Sequence, residues 1–463
     1  MTNPRIVVVN STIAQTAAVE EDYKTQMIFD CNHLTLDRTS VYAQEGYDDV
    51  PVGTKLRTAL DAAFLPDLKP AIVRVGRLKG VSTYTPTAVA SGKEFGLTIT
   101  VADGYSLEAT YTTAVGEDAQ DVLTAIAALF NADDDITDHV TVAVSGTGAA
   151  AVLIITLVSG DDDYSLSGFT GDYTITGVPT EVPVEAIADI LDFNSDWVFA
   201  TCTHHVATYQ ASFAAAMQPI ADKYFITSSK NAENYATWDG VTAPSTADLM
   251  SVVKFNNYTK THVAYHHLAD NFYECMLVSL YSQQPAGSIS WQLKNPPSFP
   301  LALNFAQTRA LNVAELLKIK AVNGSTVVRQ GGFVFTGGYE GSGNRFSDGV
   351  RIEAKHWTTY ASQQIRRRLL TLMINSNKIG MNIFDFNKIK NLIEDFLQTQ
   401  VSTVGLTYAL NPIKPFVVTM PNPRDISFED QVDGILQGIK ITAYSDASVD
   451  SIITDLTVTF LAE

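Results

Sequence analysis

The sequence predicts a multi-domain α+β protein. A discontinuous α/β domain carries an inserted, mainly β domain, and the chain ends in extended terminal arms. Three observations predict it: strands and helices alternate on both sides of residues 84–180, that segment is acidic with period-2 stretches, and both chain ends hold β-type runs. With 463 residues, 46% hydrophobic and 17% charged, the chain has material for about three folded domains.

Composition excludes several function classes. The 50 Asp and Glu residues outnumber the 31 Lys and Arg, and the net charge of -19 repels nucleic-acid phosphate and anionic lipid. Three cysteines without a CxxC pair predict neither a disulfide framework nor a zinc cluster. The apolar runs at 6–9 and 148–158 are too short for a signal peptide or a spanning helix. We therefore expect no nucleic-acid partner and no direct membrane insertion.

The α/β domain is predicted over residues 21–83 and 181–345. A helix at 55–64 is followed by a buried strand at 71–75. After the acidic segment, the pattern predicts strands at 197–200, 224–227 and 262–265 and helices at 206–221, 247–254 and 272–281. Such alternation is typical of a parallel or mixed sheet covered by helices.

Residues 84–180 are predicted to form the inserted mainly β domain. They contain fourteen Asp and Glu against one Lys, a net of -13. Period-2 stretches at 97–101 and 140–144 indicate strands, and a helix is predicted at 119–130. We interpret the Asp clusters as a solvated surface. Insertion at an exposed loop is tolerated because buried backbone hydrogen bonds are not disturbed.

A C-terminal α/β domain is predicted over residues 346–463, after a glycine-rich boundary at 331–343. Its first helix covers 359–374, and its second begins with Asp385 as N-cap. The predicted buried face of the second helix comprises Phe386, Ile389, Ile393 and Phe396. Strands at 438–444 and 455–461 close the chain.

Enzyme signatures are weak. His262, His266, His267 and Asp270 form the densest group of candidate ligands, but the run HVAYH lacks the glutamate of HExxH. His204 and His205 precede a predicted helix, where a structural role is the ordinary one. The glycines at 337–343, Ser91-Gly92-Lys93 and the Asp run at 161–163 fit neither a phosphate-binding loop nor a calcium loop. We predict no enzyme activity and no catalytic, cofactor-binding or metal-binding residue.

Three consecutive arginines, Arg366, Arg367 and Arg368, lie within the first C-terminal helix. They spread around the helix, so at least one is expected on its core side. One interpretation is a solvated flank with a single side-chain stem lying along the apolar surface. The other is a docking patch for an acidic partner.

The chain ends predict inter-subunit strands. Arg5, Ile6, Val7, Val8 and Val9 form a β-type run separated from the folded body by a polar stretch, and an isolated strand is unstable in water. At the other end Leu456, Val458 and Phe460 alternate with polar residues. We expect both segments to add to sheet edges of neighbouring subunits. Pairing of both ends within their own subunit is the alternative.

Three segments resemble the contractile-tail sheath proteins of myoviruses. The helix ending at Ala62-Ala63-Phe64 and the following residues 70–77 are similar to the sheath pattern of a helix leading into a V-x-R-V-type strand. Residues 348–357 resemble an Asp-Gly, strand and Trp-containing helix start of sheath-related proteins. Residues 376–380 and the helix at 387–397 resemble a segment in which a Lys-Ile-Pro turn precedes an amphipathic helix; here Gly380 replaces the proline. The resemblance covers everything except the acidic insert.

The resemblance implies a subunit of stacked hexameric rings around a tail tube, interlaced by terminal arms. Those arms correspond to residues 2–18, within an N-terminal arm of 1–20, and to 451–463. Implied partners are other copies, the tube protein, and the baseplate and tail terminator proteins. The location is the phage tail of the virion, assembled in the bacterial cytoplasm, and contraction needs no nucleotide hydrolysis. Arg366 to Arg368, or Lys388 and Lys390, would face the tube, and the insert would face outward.

Other functions remain open from the sequence. The chain is also compatible with another phage tail or baseplate structural protein. An adhesin, in which the acidic β domain recognises a ligand, is a further alternative. A hydrolase using His204, His205 or the group at 262–270 is the alternative from the enzyme class.

Overall fold

The computed structural model describes residues 6–7, 24–160, 162–291, 311, 313–330, 333–335, 344–376, 378–402, 409–433 and 436–444. Within them the chain is a mixed α/β protein with several sheets, as the sequence predicts. Among these residues no helix combines the length and apolarity needed to cross a membrane. The three cysteines are buried and unbridged.

The largest sheet has seven strands in the order β15-β14-β13-β12-β2-β4-β3, and only β3 runs antiparallel to its neighbour. The strands are β2 (Gln26–Asp30), β3 (Thr39–Ala43), β4 (Ile72–Arg77), β12 (Phe199–Cys202), β13 (Tyr224–Ser229), β14 (Thr261–Tyr265) and β15 (Ser325–Thr326). All residues of β2, β12 and β13 are buried, because helices cover both faces of the sheet.

The covering helices are α1 (Lys55–Ala63), α4 (Pro183–Phe193), α5 (Ala207–Met217), α6 (Leu249–Phe255), α7 (Tyr273–Ser282) and α8 (Val313–Ala321). Leu60 of α1 and Met276 of α7 belong to the core on one face. Ile187 of α4, Phe213 of α5 and Val253 of α6 belong to the core on the other. The two apolar layers fix the sheet between the helices.

Residues 80–179 form two antiparallel sheets with their own core. The elements are β5 (Gly80–Pro86), β6 (Glu94–Val101), β7 (Ser106–Thr112), α2 (Ala119–Asn131), α3 (Asp134–Thr137), β8 (Val140–Ser145), β9 (Val152–Leu157), β10 (Tyr164–Thr170) and β11 (Tyr173–Pro179). The sheet orders are β10-β6-β7 and β11-β5-β9-β8. Ile126 and Phe130 of α2 pack with Ile99 and Leu153. The polypeptide enters and leaves at one place, because the Thr180 N–H donates to the Lys79 carbonyl at 3.2 Å.

The C-terminal part pairs two helices with a small sheet. Its elements are α9 (Ile352–Asn375), α10 (Ile383–Gln398), β18 (Phe416–Thr419), α11 (Phe428–Asp433) and β19 (Lys440–Ala443), and the strand β1 (Ile6–Val7) completes the sheet in the order β1-β19-β18. A short hairpin of β16 (Val328–Gln330) and β17 (Phe333–Phe335) precedes them. Ile365, Ile393 and Leu410 lie in their common core.

Two predicted helix starts are wrong. Helix α9 begins at Ile352 rather than at residue 359, so Trp357 lies inside the helix and the preceding residues form only an isolated bridge between Arg345 and Arg351. Helix α10 is capped by Asn382, whose side chain accepts hydrogen bonds from the N–H groups of Phe384 and Asp385. The amide side chain caps as well as a carboxylate, so Asp385 is left in the first turn.

Candidate assembly surfaces and polar clusters

The three-stranded sheet brings the N-terminal strand onto the C-terminal part of the chain. Ile6 and Val7 pair antiparallel with Thr442 and Ile441 of the same chain. The other side of β19 pairs with β18, which leaves β18 as an edge strand within the described residues. For these two residues the structure therefore shows the intrachain pairing that the sequence left as the alternative to exchange.

The remaining predicted arm residues lie outside the described residues. They are Arg5, Val8 and Val9 at the N-terminal end and Leu456, Val458 and Phe460 at the C-terminal end. Their role between subunits stays a prediction.

The antiparallel strand pair β18–β19 is firmly attached to the helices beneath it. Val418, Ile441 and Ala443 are buried in the core that holds α9 and α10. The Tyr444 N–H donates to the Pro415 carbonyl, and the Asn411 N–H donates to the Tyr444 carbonyl, both at 2.9 Å. This strand pair can therefore receive an added strand without itself being reorganised.

Arg366, Arg367 and Arg368, the arginines considered as a docking patch, are all exposed on α9, directly after the buried Ile365. The guanidinium carbon of Arg368 lies 5.2 Å from the ring centroid of Phe396 on α10. A cation in that position is attracted to the face of the ring. One arginine thus lies across the helix pair while all three remain in contact with solvent.

Each of the two predicted lysines has a carboxylate partner on its own helix. Lys388 Nζ lies 2.7 Å from Asp385 Oδ1, and Lys390 Nζ lies 3.6 Å from Glu394 Oε1. Exposed pairs of this kind contribute little to stability, but they reduce the positive charge that α10 offers to a partner.

The histidine group at 262–270 is dispersed by the fold. His262 is buried, with Nδ1 2.7 Å from the Arg345 carbonyl and Nε2 2.7 Å from Ser325 Oγ, and burial lowers its pKa to about 4. His266 stacks on Tyr273, whereas Asp270 pairs with Lys230. Within the described ranges no three His, Cys, Asp or Glu side chains are arranged to hold a metal ion.

A buried polar cluster lies at the carboxyl ends of the parallel strands. His205 Nε2 is 2.5 Å from Glu274 Oε1, and Ser228 Oγ donates to Glu274 Oε2. Beside them the Thr203 hydroxyl donates to Asp30 Oδ1. Burial lowers the pKa of the neighbouring His204 to about 4. These side chains join β2, β12, β13 and α7 to one another.

Sequence reasoning found His204 and His205 but missed Glu274. The sequence did hold a signal for Glu274, because it is the single acidic residue in the first turn of the largely apolar helix α7. A carboxylate in that position is favoured by the positive end of the helix dipole. Chain order reverses between β2 and β12, the point where open α/β sheets bind ligands. Here the side chains at that point bond to each other, which fits a structural junction.

A second missed cluster attaches residues 80–179 to the α/β sheet. The Arg77 guanidinium donates to both oxygens of Asp163. On the α/β side, directly after this unit, Arg38 Nη2 lies 2.5 Å from Glu181 Oε1. Burial raises the pKa of the Asp163 carboxyl. The hydrogen bond and the positive charge of Arg77 outweigh burial, so this pKa lies below its usual value. Asp163 is therefore an exception to the prediction of a solvated Asp run.

Ring stacking and a close backbone approach complete this attachment. The rings of His33 and Tyr164 are parallel, with centroids 4.0 Å apart. The Leu166 N–H also donates to the His33 carbonyl. Gly177 passes so close to Cys31 that an added Cβ would lie 1.7 Å from the Cys31 carbonyl oxygen. The two parts are thus held together by polar, aromatic and steric contacts.

Solved structures of contractile injection systems are similar to this chain. The anti-feeding prophage baseplate in the contracted state aligns with a TM-score of 0.47 and 8% identity over 99% of this chain and 98% of that chain. The sixfold-symmetrised baseplate of the same system gives 0.43 and 12% over 63% and 78%. The contracted sheath complex of the extracellular injection system PVC gives 0.40 and 11% over 62% and 76%. No family model and no curated protein sequence matches the chain.

Proposed function

We propose that this chain is a structural subunit of a bacteriophage contractile tail sheath that polymerises by exchanging terminal β-strands. One observation carries the proposal: Ile6 and Val7 form a strand added to the β18–β19 pair of their own chain, and residues 8–23 connect this strand to Lys24 in the sequence. The same strand added to the identical β18–β19 pair of a neighbouring copy makes the same hydrogen bonds. Exchange between copies therefore preserves the pairing while linking the subunits.

The edge strand β18 supports a second joint. Its outer side is unpaired within the described part of the chain, and Leu456, Val458 and Phe460 give the C-terminal segment the alternation of a strand. We assign this segment to the β18 edge of a neighbour. Two such joints per subunit act together, so a polymer of stacked hexameric rings can be stable although each joint is weak.

The proposed sheath surrounds a tail tube and ends at the baseplate and tail terminator proteins. Subunits rotate from a metastable packing to a lower-energy one while the strand joints hold, so contraction drives the tube through the host envelope without nucleotide hydrolysis. The inserted domain, residues 84–180, faces outward, and Arg366 to Arg368, or Lys388 and Lys390, face the tube. The subunit assembles in the bacterial cytoplasm and functions in the virion during genome ejection, without binding nucleic acid or inserting into membrane.

Cysteine trapping tests the exchange directly. One copy carries Val7→Cys and a second carries Ile441→Cys, because these residues face each other across the β1–β19 ladder. The two variants are mixed under polymerising conditions and oxidised. Exchange predicts disulfide-linked dimers on a non-reducing gel, since neither variant can form that bond by itself.

The matched control replaces Ile441→Cys by Val417→Cys, which lies on β18 and does not pair with β1. Disulfide-linked dimers in the control mixture contradict exchange of the N-terminal strand. The absence of disulfide-linked dimers from both mixtures, once polymer is visible, contradicts it as well. Deletion of residues 1–10 or 451–463 is expected to leave a monomer with native circular dichroism that forms no rings. Normal polymerisation of both deletions overturns the arm assignment.

An adhesin is the second candidate, because residues 80–179 have a core of their own and a distinct acidic surface. Removal of that part tests this candidate, because an adhesin would lose binding while a sheath subunit would still assemble. If the chain is another baseplate or tail protein, it should be incorporated into particles in a few copies rather than along the whole tail. If the chain is a hydrolase, changing His204, His205 or His262 to alanine should abolish its activity and leave assembly unaffected.

A further inference from the structure

One face of the four-stranded sheet β11-β5-β9-β8 is open to solvent. Tyr84, Leu153 and Ile175 point into the core of residues 80–179, so the residues that alternate with them point to the opposite side. These residues are exposed on the two edge strands and partly exposed on the two central strands. Three come from each strand: Val81, Thr83, Thr85, Thr141, Ala143, Ser145, Val152, Ile154, Thr156, Thr174, Thr176 and Val178. We call these twelve residues the open face.

The side chains of the open face are aligned and stiff. Across the middle of the sheet Thr176 lies opposite Thr83, Thr83 opposite Ile154, and Ile154 opposite Ala143. All twelve residues except Ala143 and Ser145 are β-branched. A β-branched side chain has few rotamers to lose, so covering this face costs little side-chain entropy.

Charge is segregated away from the open face. Residues 84–180 hold fourteen acidic residues and Lys93, and none of these lies in the described strands β5, β8, β9 and β11. The outer face of the other sheet, in contrast, includes Glu94 and Glu108. Asp172, in the turn that leads into β11, is paired with Lys93. Two copies of this acidic unit repel each other on their charged sides, whereas contact through the open face leaves no charge to desolvate.

We propose that the open face packs against the open face of a second copy, so that two subunits pair about a two-fold axis. Sheets stacked in this way lie about 10 Å apart, and the methyl groups of valine, isoleucine and threonine fill the space between them. The charge pattern favours a second copy, because the one uncharged sheet face of each unit meets its equal while the acidic sides point away.

The area of the open face predicts a weak dimer. Four strands of six to seven residues, with about 4.8 Å between strands and about 3.3 Å per residue, cover about 400 Å² on each copy. A pair therefore buries about 800 Å², which is in the range of transient contacts and below the roughly 1,200 Å² of standard interfaces. The dimer should form at high protein concentration and dissociate on dilution.

This pairing is separate from strand exchange. A face that meets itself closes after two copies, whereas exchanged strands link successive copies into a larger assembly. The open face lies within residues 80–179, and β1, β18 and β19 lie outside them. The proposal therefore goes beyond the proposed function and does not depend on it.

Crosslinking of full-length variants tests the pairing. Thr83→Cys places a thiol in the middle row of the open face, and the three native cysteines are buried. A short bis-maleimide reagent is expected to link copies into dimers whose yield rises with protein concentration. Thr98→Cys is the matched control, because Thr98 is partly exposed in the central strand of the other sheet, directly opposite Glu108. At the same concentration Thr98→Cys should give at least tenfold less dimer.

Added charge tests the same contact independently. Thr176→Asp, introduced together with Thr83→Cys, places a carboxylate on the open face of both copies and should lower the dimer yield at least tenfold. Thr110→Asp, exposed on β7 of the other sheet, should leave the yield unchanged. Thr176 and Thr110 are both exposed, so both variants should keep native circular dichroism.

Equal dimer yields from Thr83→Cys and Thr98→Cys, including none from either, overturn the proposal. An unchanged yield after Thr176→Asp overturns it as well, and so does a Thr83→Cys crosslink that forms only with a different protein of the host. Strand trapping through Val7→Cys and Ile441→Cys uses none of the open-face residues, so failure of the pairing is distinguishable from failure of the proposed function.

Discussion

At the residue scale, two buried polar clusters of this protein are built from paired side chains. Glu274 is fully buried, and one of its oxygens is bound by His205, which follows β12, while the other is bound by Ser228, which lies in β13. The Arg77 side chain is also buried and donates to Asp163 and to the carbonyls of Leu36 and Asp37. Removing one member of such a pair leaves the other without a partner in a medium of low dielectric constant.

Glu274→Ala is expected to destabilise the protein strongly. It leaves His205 and Ser228 without their shared acceptor, and breaking a buried pair costs about 3 kcal/mol or more. The midpoint of urea unfolding measures the loss. As a control, Lys230→Ala removes the exposed partner of Asp270 and should change stability by no more than about 0.5 kcal/mol. Equal effects of the two variants contradict the role assigned to Glu274.

Buried histidines are expected to make stability depend on pH. Burial lowers the pKa of His262 from 6.5 to about 4. The unfolded chain therefore binds a proton at higher pH than the folded chain does. The contribution of His262 is fully present above pH 6.5, and it is lost as the pH falls from there to about 4.

His262→Gln isolates this contribution. The variant is expected to be less stable than the wild type at pH 7, where its hydrogen bonds to Arg345 and Ser325 are altered, and the difference should narrow toward pH 4. Chemical denaturation at several pH values gives the two curves. If the free energies of unfolding of the two proteins change in parallel across this pH range, His262 does not bind a proton on unfolding.

At the element scale, the contact between β11 and the end of β2 determines how residues 80–179 sit on the α/β sheet. Gly177 lies in the ladder between β11 and β5 and passes against the Cys31 carbonyl. Only hydrogen fits in that gap, because a Cβ would overlap the oxygen. Gly177 is therefore needed for the close packing of β11 against the end of β2 and not for a turn.

Gly177→Ala is expected to separate the two elements locally. The methyl group forces a backbone shift that costs about 1–3 kcal/mol, as overpacking does elsewhere. Faster amide hydrogen exchange in β11 and β5, with unchanged exchange in α9, should accompany a lower unfolding midpoint. Gly160→Ala is the control, because a Cβ there meets no atom within 4 Å. An equal response at both glycines contradicts the assignment.

At the scale of the whole molecule, the chain enters and leaves the acidic unit, residues 80–179, at one pair of neighbouring positions. The Thr180 N–H donates to the Lys79 carbonyl, and both residues lie next to paired strand ends. Its negative charge keeps assembled particles apart if it faces outward. A polymer built through the terminal sheet has no need of this unit.

Replacement of residues 80–179 by a short glycine-serine linker tests that separation. The shortened chain is expected to form rings and tubes in negative-stain images as the full chain does. Arg77 loses Asp163 but retains the carbonyls of Leu36 and Asp37, so the sheet should persist. Circular dichroism checks the fold. A folded shortened chain that cannot assemble contradicts a purely external role, and loss of binding to cells with assembly intact favours the adhesin.

The sequence by itself determined the alternation of strands and helices and the approximate bounds of most elements. Periodicity reports which side of an element is apolar, and α2 and α10 have strong patterns of that kind. It failed at the start of α9, where Glu353 and His356 are buried by tertiary contacts although their polarity indicates a surface. It also placed the cap of α10 on Asp385 rather than on Asn382, because both residue types cap helices equally well.

Only the tertiary structure decided which distant residues meet. His205 with Glu274, Arg77 with Asp163, and Ile6 with Thr442 are separated by long stretches of chain. No local pattern records such pairs, since they follow from the order of strands across a sheet and from the side on which each helix returns. The open face of the sheet β11-β5-β9-β8 was likewise invisible in the sequence. Whether an apolar residue is covered depends on what the rest of the chain places beside it.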